Sequence, residues 1–164
     1  VTQPTIRRID ADEWQTMRDV RLAALQEAPY AFGSTYARER VYGEDEWRNW
    51  LGDAVDPNGA IFVAEIDRHA VGMDAVFIEE ESAHLYAMWV APEARRSGAG
   101  SLLTRAAIDW ARTFGAPRLM LHVAENNPAG IALYESLGFA MTGNKEPLHS
   151  DPSRSVLEMS RALV

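Results

Sequence analysis

Apolar positions recur along this chain with two different periods, and the switches between them predict its elements. Residues 5–9 read as a short strand, after which Asp10 or Asp12 can cap a helix carrying Trp14, Met17, Val20 and Ala24 at helical spacing. Pro29 lies beyond that helix, and the turn-rich run Tyr30-Ala31-Phe32-Gly33-Ser34-Thr35 separates it from a second helix over residues 44–51 that brings Trp47 and Trp50. Residues 61–66 and 71–78 alternate on either side of Asp67-Arg68-His69-Ala70, the pattern of a hairpin, and a third strand over 83–90 follows. Leu103, Ala106, Ala107, Trp110 and Phe114 then return to helical spacing, and Gly115 with Pro117 stops the helix. A strand over 119–123 feeds a short helix over 128–137, with Pro128 at its first position and Gly138 just past its end. Residues 139–142 and 156–161 read as closing strands, joined by a polar segment, 143–153, expected to be mobile. The predicted order is β-α-α-β-β-β-α-β-α-β-β.

Composition narrows the picture. At 164 residues and 47% hydrophobic content the chain fits one domain, residues 1–164, with a sizeable core. It has no cysteine, which excludes disulfides and thiol chemistry, and His69, His84, His122 and His149 show no metal-ligand spacing, so no metal is expected. No long apolar run and no charged leader are visible, which makes a cytoplasmic, membrane-free protein the expectation. A net charge of −8 argues against nucleic acid as a partner and favours cationic ones. The runs Glu44-Asp45-Glu46 and Glu79-Glu80-Glu81 read first as solvated surface.

The densest chemical signal is Arg95-Arg96-Ser97-Gly98-Ala99-Gly100, between the strand over 85–90 and the helix starting near Ser101. Glycines there leave backbone N–H groups unshielded, and a helix N-terminus adds unpaired donors and partial positive charge, so the junction suits a diphosphate. A P-loop is excluded because the only lysine is Lys145, far from this turn; a dinucleotide fingerprint lacks its third small residue.

What remains, [RQ]-x-x-G-x-[GA] after a strand, resembles motif A of the GNAT superfamily of acetyl-CoA-dependent N-acetyltransferases. Leu119-Met120-Leu121-His122-Val123 followed by Asn127, Ala129, Ile131-Ala132-Leu133-Tyr134 and Leu137-Gly138-Phe139 resembles its motif B. The specific motifs occupy residues 83–139; residues 1–60 match by element order alone and would supply acceptor-side helices. The resemblance implies an α/β fold of the α+β kind: a mixed, mostly antiparallel central sheet with a parallel central strand pair and helices on both faces. It implies acetyl-CoA as cosubstrate and direct transfer to an amine in a ternary complex through a tetrahedral intermediate, no cysteine being available to carry the acetyl group. A protein or peptide N-terminal or lysine acetyltransferase, and a non-catalytic acyl-CoA-binding regulatory module, are the alternatives. A homodimer is left open.

Site residues follow from the resemblance. Arg95, Arg96, Ser97, Gly98, Ala99, Gly100 and Ser101 would face the cofactor phosphates, with Gly98→Val blocking the loop sterically. The backbone of Met88, Trp89 and Val90 would meet the pantetheine arm and stabilise the oxyanion. Asn127 reads equally as helix N-cap and cofactor contact. Tyr134 would be the general acid beside the thioester sulfur as well as a cofactor contact. His84, on one strand face with Tyr86 and Met88, is the candidate base for an amine that arrives as an ammonium, with Glu79, Glu80 and Glu81 in reserve. Tyr30, Phe32, Ser34 and His84 would bind the acceptor. His122 is expected to be a buried, hydrogen-bonded structural residue.

Overall fold

The computed structural model describes residues 2–29, 31–55 and 57–164. The element order is β1 (Thr5–Arg8), α1 (Trp14–Glu27), α2 (Tyr36–Glu39), α3 (Glu44–Val55), β2 (Gly59–Ile66), β3 (His69–Glu79), β4 (Ser82–Val90), α4 (Ala99–Thr113), β5 (Arg118–Ala124), α5 (Pro128–Ser136), β6 (Ala140–Leu148) and β7 (Asp151–Ala162). A 3-10 turn, Pro92–Ala94, lies between β4 and α4. The seven strands form one sheet in the order β1-β2-β3-β4-β5-β7-β6. Every pairing is antiparallel except β4 with β5. The α/β architecture is therefore as expected, including the single parallel pair in the middle.

Period-two alternation distributes the core to both faces. Ile61, Val63, Met73, Ala75 and Trp89 pack with Met17, Leu25, Trp47 and Leu51 from α1 and α3. Ala60, Val76, Leu85 and Leu121 pack with Ala107, Ile108 and Tyr134 from α4 and α5. The β2–β3 turn is two residues, Asp67 and Arg68, with φ of 50° and 67°. Those values are the left-handed pair of a type I′ turn, whose twist suits a hairpin.

Three expectations are corrected. The segment over 143–153 is not a mobile connection: β6 runs to Leu148 and β7 begins at Asp151, forming one long hairpin. Its β6 arm is a sheet edge exposed from Ala140 to Pro147, so no apolar alternation marks it, and an edge tolerates Pro147. The short helix α2, capped by the Thr35 hydroxyl accepting the Arg38 amide at 3.2 Å, has no counterpart in the predicted order. Neither Asp10 nor Asp12 caps α1. The helix begins at Trp14, and the Glu13 carboxylate instead folds back to accept the Asp10 amide at 2.7 Å while Arg7 grips it at 2.7 and 2.9 Å.

One buried ion pair ties α1 to α2. Arg21 donates from Nε and Nη2 to both carboxylate oxygens of Glu39 at 2.9 Å, and both side chains are buried. The guanidinium also lies over the rings of Phe32, at 5.1 Å, and Trp50, at 5.7 Å. Among the described residues no helix is long and apolar enough to cross a membrane.

These contacts set expectations for stability. Glu39→Ala strands the Arg21 charge inside the fold and should cost roughly 3–5 kcal/mol in urea unfolding, whereas the double replacement Arg21→Met with Glu39→Leu should cost less than Glu39→Ala alone. The Arg7 hydrogen bond is the largest influence holding Glu13 below its ordinary pKa of 4.5. Glu13 therefore stabilises the fold above that value and loses its contribution as pH falls through the lower folded-state value; Glu13→Gln should flatten this part of the acid-unfolding curve.

Candidate active site

The centre of the site is the point where two strands part. Parallel β4 and β5 share only three register pairs, Ala83 with Leu119, His84 with Met120 and Leu85 with Leu121. Beyond them β4 continues through Val90 and β5 through Ala124 without pairing to each other. On its other side β4 carries a bulge against β3, since Ala75 pairs with Tyr86 but Met73 pairs with Trp89. Ala87 adopts a φ of 54° there, and both Ala87 and Met88 stand outside the two ladders. An extra residue in one strand bends it and frees its amides.

The gap opens into a cavity of about 550 Å³. Its sides are the separated strands, Leu85, Tyr86, Ala87 and Met88 on one and Leu121, His122, Val123 and Ala124 on the other, with Asn127 and Tyr134 at the α5 end. Arg21, Phe32, Gly33, Trp50, Leu148 and His149 line the opposite end. The Ser150 hydroxyl donates to the Phe32 carbonyl at 2.6 Å, so the segment before α2 and the β6–β7 turn meet at that end.

At the β4–α4 junction Gly98 is the residue before the helix, with a φ of 92°. A Cβ on Gly98 would touch nothing of the protein within 4 Å, so what the fold itself demands of this glycine is its backbone handedness. Space is the constraint at Gly100, where a Cβ would sit 3.1 Å from Leu133 and 3.4 Å from the Met88 methyl. The Leu102 amide makes the first helical bond, to Gly98 O at 3.0 Å. The amides of Gly100 and Ser101 therefore precede any intrahelical acceptor, while that of Ala99 donates to the Ser97 hydroxyl at 3.3 Å. Arg95 is held elsewhere: it donates to the Val90 carbonyl at 3.0 Å and to Glu27 at 2.8 Å. Arg96 remains exposed, with a φ of 66°. The indole of Trp89 turns away into the core beneath α1 and donates to Glu27 at 2.9 Å.

The remaining candidates scatter around the cavity. The Asn127 side chain accepts the Gly130 amide at 3.0 Å, capping α5, and also reaches the cavity wall. Tyr134 is 6% exposed and packs edge-on against Phe139 at 5.8 Å. Burial, and then the charge of Asp74, push its phenol well above the usual range, so it stays protonated. His84 stacks on Tyr86 at 6.2 Å but is not part of the wall; Ser34 is also outside it, and Tyr30 lies outside the described residues.

His122 corrects its expectation. It faces the cavity instead of the core, with its Nε2 3.6 Å from both Glu146 and Glu158. Leu121 and Val123 point into the α4 core, so the alternation that buries them turns His122 the other way. Hydrogen bonds from Thr142 at 2.8 Å and Asn144 at 2.9 Å lead the influences that hold Glu158 below its usual range, with His122 and His84 adding to them. Tyr86 donates to Glu79 at 3.1 Å, and burial with the charges of Glu79 and Glu146 raises its phenol to about 12. Sequence reasoning missed Arg21, Tyr86 and Glu146 at this cavity because they come from three separate elements, whereas Trp50, one of the two α3 aromatics open to core or pocket, lines it.

Comparison with known proteins agrees with this geometry. The family model "Acetyltransferase (GNAT) family" matches residues 14–139. A mycothiol acetyltransferase of Renibacterium salmoninarum is 29% identical over 139 residues, covering 82% of this chain and 39% of that protein, so the chain spans less than half the length of the curated relatives it matches. A nourseothricin acetyltransferase structure is 28% identical and superposes with a TM-score of 0.62 over 66% of this chain and 68% of that one. A Salmonella typhimurium protein solved with its cofactor acetyl-CoA reaches a TM-score of 0.80 at 20% identity, over 99% of this chain and 95% of that one. An open parallel strand pair beside a glycine-rich helix start is thus joined to a matching family model over most of the chain, and the chain belongs to the GNAT family of acetyltransferases, whose cosubstrate is acetyl-CoA.

Proposed function

We propose that this protein transfers the acetyl group of acetyl-CoA directly to a primary amine of a small molecule. The observation that carries the choice of a small acceptor is the contact of Ser150 with Phe32, which joins the segment before α2 to the β6–β7 turn at the acceptor end of the cavity. A joined rim favours a compact acceptor over a polypeptide laid along a groove. The names of the mycothiol and nourseothricin acetyltransferases point the same way.

Residues of this chain fit the cosubstrate. The free amides at the start of α4 suit its diphosphate, with Gly98 shaping the turn and Gly100 clearing the approach. The backbone of β4 from Ala87 to Val90, released from β5 throughout and from β3 at the bulge, offers donors and acceptors to the pantetheine amides and a donor to the developing oxyanion. Tyr134 is the general acid that protonates the departing thiolate. His122 accepts the ammonium proton, with Glu146 and Glu158 stabilising the imidazolium that results. His84, stacked on Tyr86, assists through Glu158. Glu79 and Glu146 bias the cavity toward cationic acceptors.

A thiol-release assay with acetyl-CoA against polyamines, aminoglycosides, amino sugars, amino acids and peptides tests the reading; turnover with peptides alone would overturn it. Tyr134→Phe should lower kcat by about 100-fold while the acetyl-CoA Kd measured by calorimetry changes less than about twofold. Gly100→Val should abolish acetyl-CoA binding, and Gly98→Ala should weaken it through a backbone cost of about 1–2 kcal/mol, with Gly98→Asn milder because asparagine tolerates the left-handed region. His122→Gln should depress kcat more than His84→Gln does.

A further inference from the structure

Asp74 stands in the middle of β3 and is 0% exposed. Among the described residues, the side-chain atoms that are buried without a hydrogen-bond partner are the Trp47 indole nitrogen and both oxygens of Asp74. A carboxylate in such a place costs so much that the group takes up a proton instead, and burial accordingly holds Asp74 well above the usual carboxylate range. For folding alone, an apolar side chain of similar size would be cheaper.

Its position relates it to the chemistry. Met73 and Ala75 face α1 and α3, so Asp74 faces α4 and α5 together with Val76, a member of the cluster that contains Tyr134. Along β3 it falls between the pairs Met73 with Trp89 and Ala75 with Tyr86, the interval occupied on β4 by the bulged Ala87 and Met88. Met88 in turn meets Gly100, which also meets Leu133, the residue before Tyr134. After burial itself, Asp74 in its ionised form is what raises the Tyr134 phenol, which puts the two groups within electrostatic reach of each other across this interior.

We propose that Asp74 is a positioning residue behind Tyr134, which replaces from inside the fold the proton that the phenol passes to the coenzyme A thiolate. The inference rests on the general-acid reading of Tyr134. The Tyr134 O–H bond breaks as the S–H bond of the free thiol forms; because Asp74 makes no hydrogen bond to Tyr134, the Asp74 O–H bond breaks through one bridging water as the Tyr134 O–H bond is remade. The net change is one proton moved from carboxyl to sulfur, and solvent returns it to the carboxylate once the cavity empties. A buried phenol alone is a weak acid toward a thiolate, whereas a neutral carboxyl behind it supplies a stronger one. A carboxylic acid offers this transferable proton; asparagine and valine do not.

The test compares Asp74→Asn, Asp74→Val, Tyr134→Phe and the double variant Asp74→Asn with Tyr134→Phe, using acetyl-CoA with concentrated hydroxylamine as a generic acceptor. Asp74→Asn is expected to lose about tenfold or more in kcat with an acetyl-CoA Kd within about twofold of the parent, and the double variant to be no slower than Tyr134→Phe. Asp74→Val, folded and at least as thermostable as the parent, is expected to show the same loss. Parental turnover in Asp74→Asn or Asp74→Val, or losses that multiply in the double variant, would overturn the proposal; parental turnover in Tyr134→Phe would instead remove the reading beneath it. The infrared carbonyl band of a protonated carboxyl group, lost in Asp74→Asn, supplies a readout that needs no acceptor. It should shift in Tyr134→Phe, and a missing or unshifted band equally overturns the proposal.

Discussion

The separation of β4 from β5 after Leu85 and Leu121 is the constraint on which the rest of the molecule depends. A parallel pair inside a sheet ordinarily continues, because each unpaired amide or carbonyl left in the interior is costly. Here the ladder stops after three pairs, and the strands that flank it, β3 and β7, hold the two halves in place from outside. The cavity is thus a defect in the sheet, made permanent by the antiparallel pairings on either side. Its walls carry backbone donors and acceptors that only a ligand or solvent can satisfy.

The bulge at Ala87 extends the same logic. By releasing Ala87 and Met88 from β3 while β5 has already drawn away, the chain leaves one short stretch of strand outside both ladders, beside the helix start at Gly98. Anion-binding amides and strand amides consequently come from adjoining segments, with the 3-10 turn between them fixing their spacing. Arg95, which spans Val90 and Glu27, braces this junction against α1.

How much of this can be read from the sequence depends on which physical rule marks each part. Gly98, Gly100 and Gly138 are legible because tight turns and close approaches restrict residue type, and the β2–β3 hairpin because both strands alternate. The β6 arm is illegible since an exposed polar edge strand lacks the apolar period that identifies strands. The expectation for His122 fails because it treats β5 as buried on both faces, although the alternation of Leu121 and Val123 already separates the histidine from them. Asp74 carries a visible signal, an acid within an otherwise apolar strand, that no motif absorbs. The strand separation and the pairing of Arg21 with Glu39 depend on contacts between distant segments, which local patterning does not encode.

The bond from Ser150 to Phe32 joins positions 118 residues apart in the chain. Gly33 also approaches His149 there, since a methyl group placed on this glycine would lie 3.8 Å from the histidine side chain, so the two segments form one surface from two remote stretches of sequence. Evolution of a new acceptor preference on this scaffold is consequently a two-locus problem. A favourable change in either stretch is filtered through its fit to the other, and a graft that carries only one of them arrives without its complement.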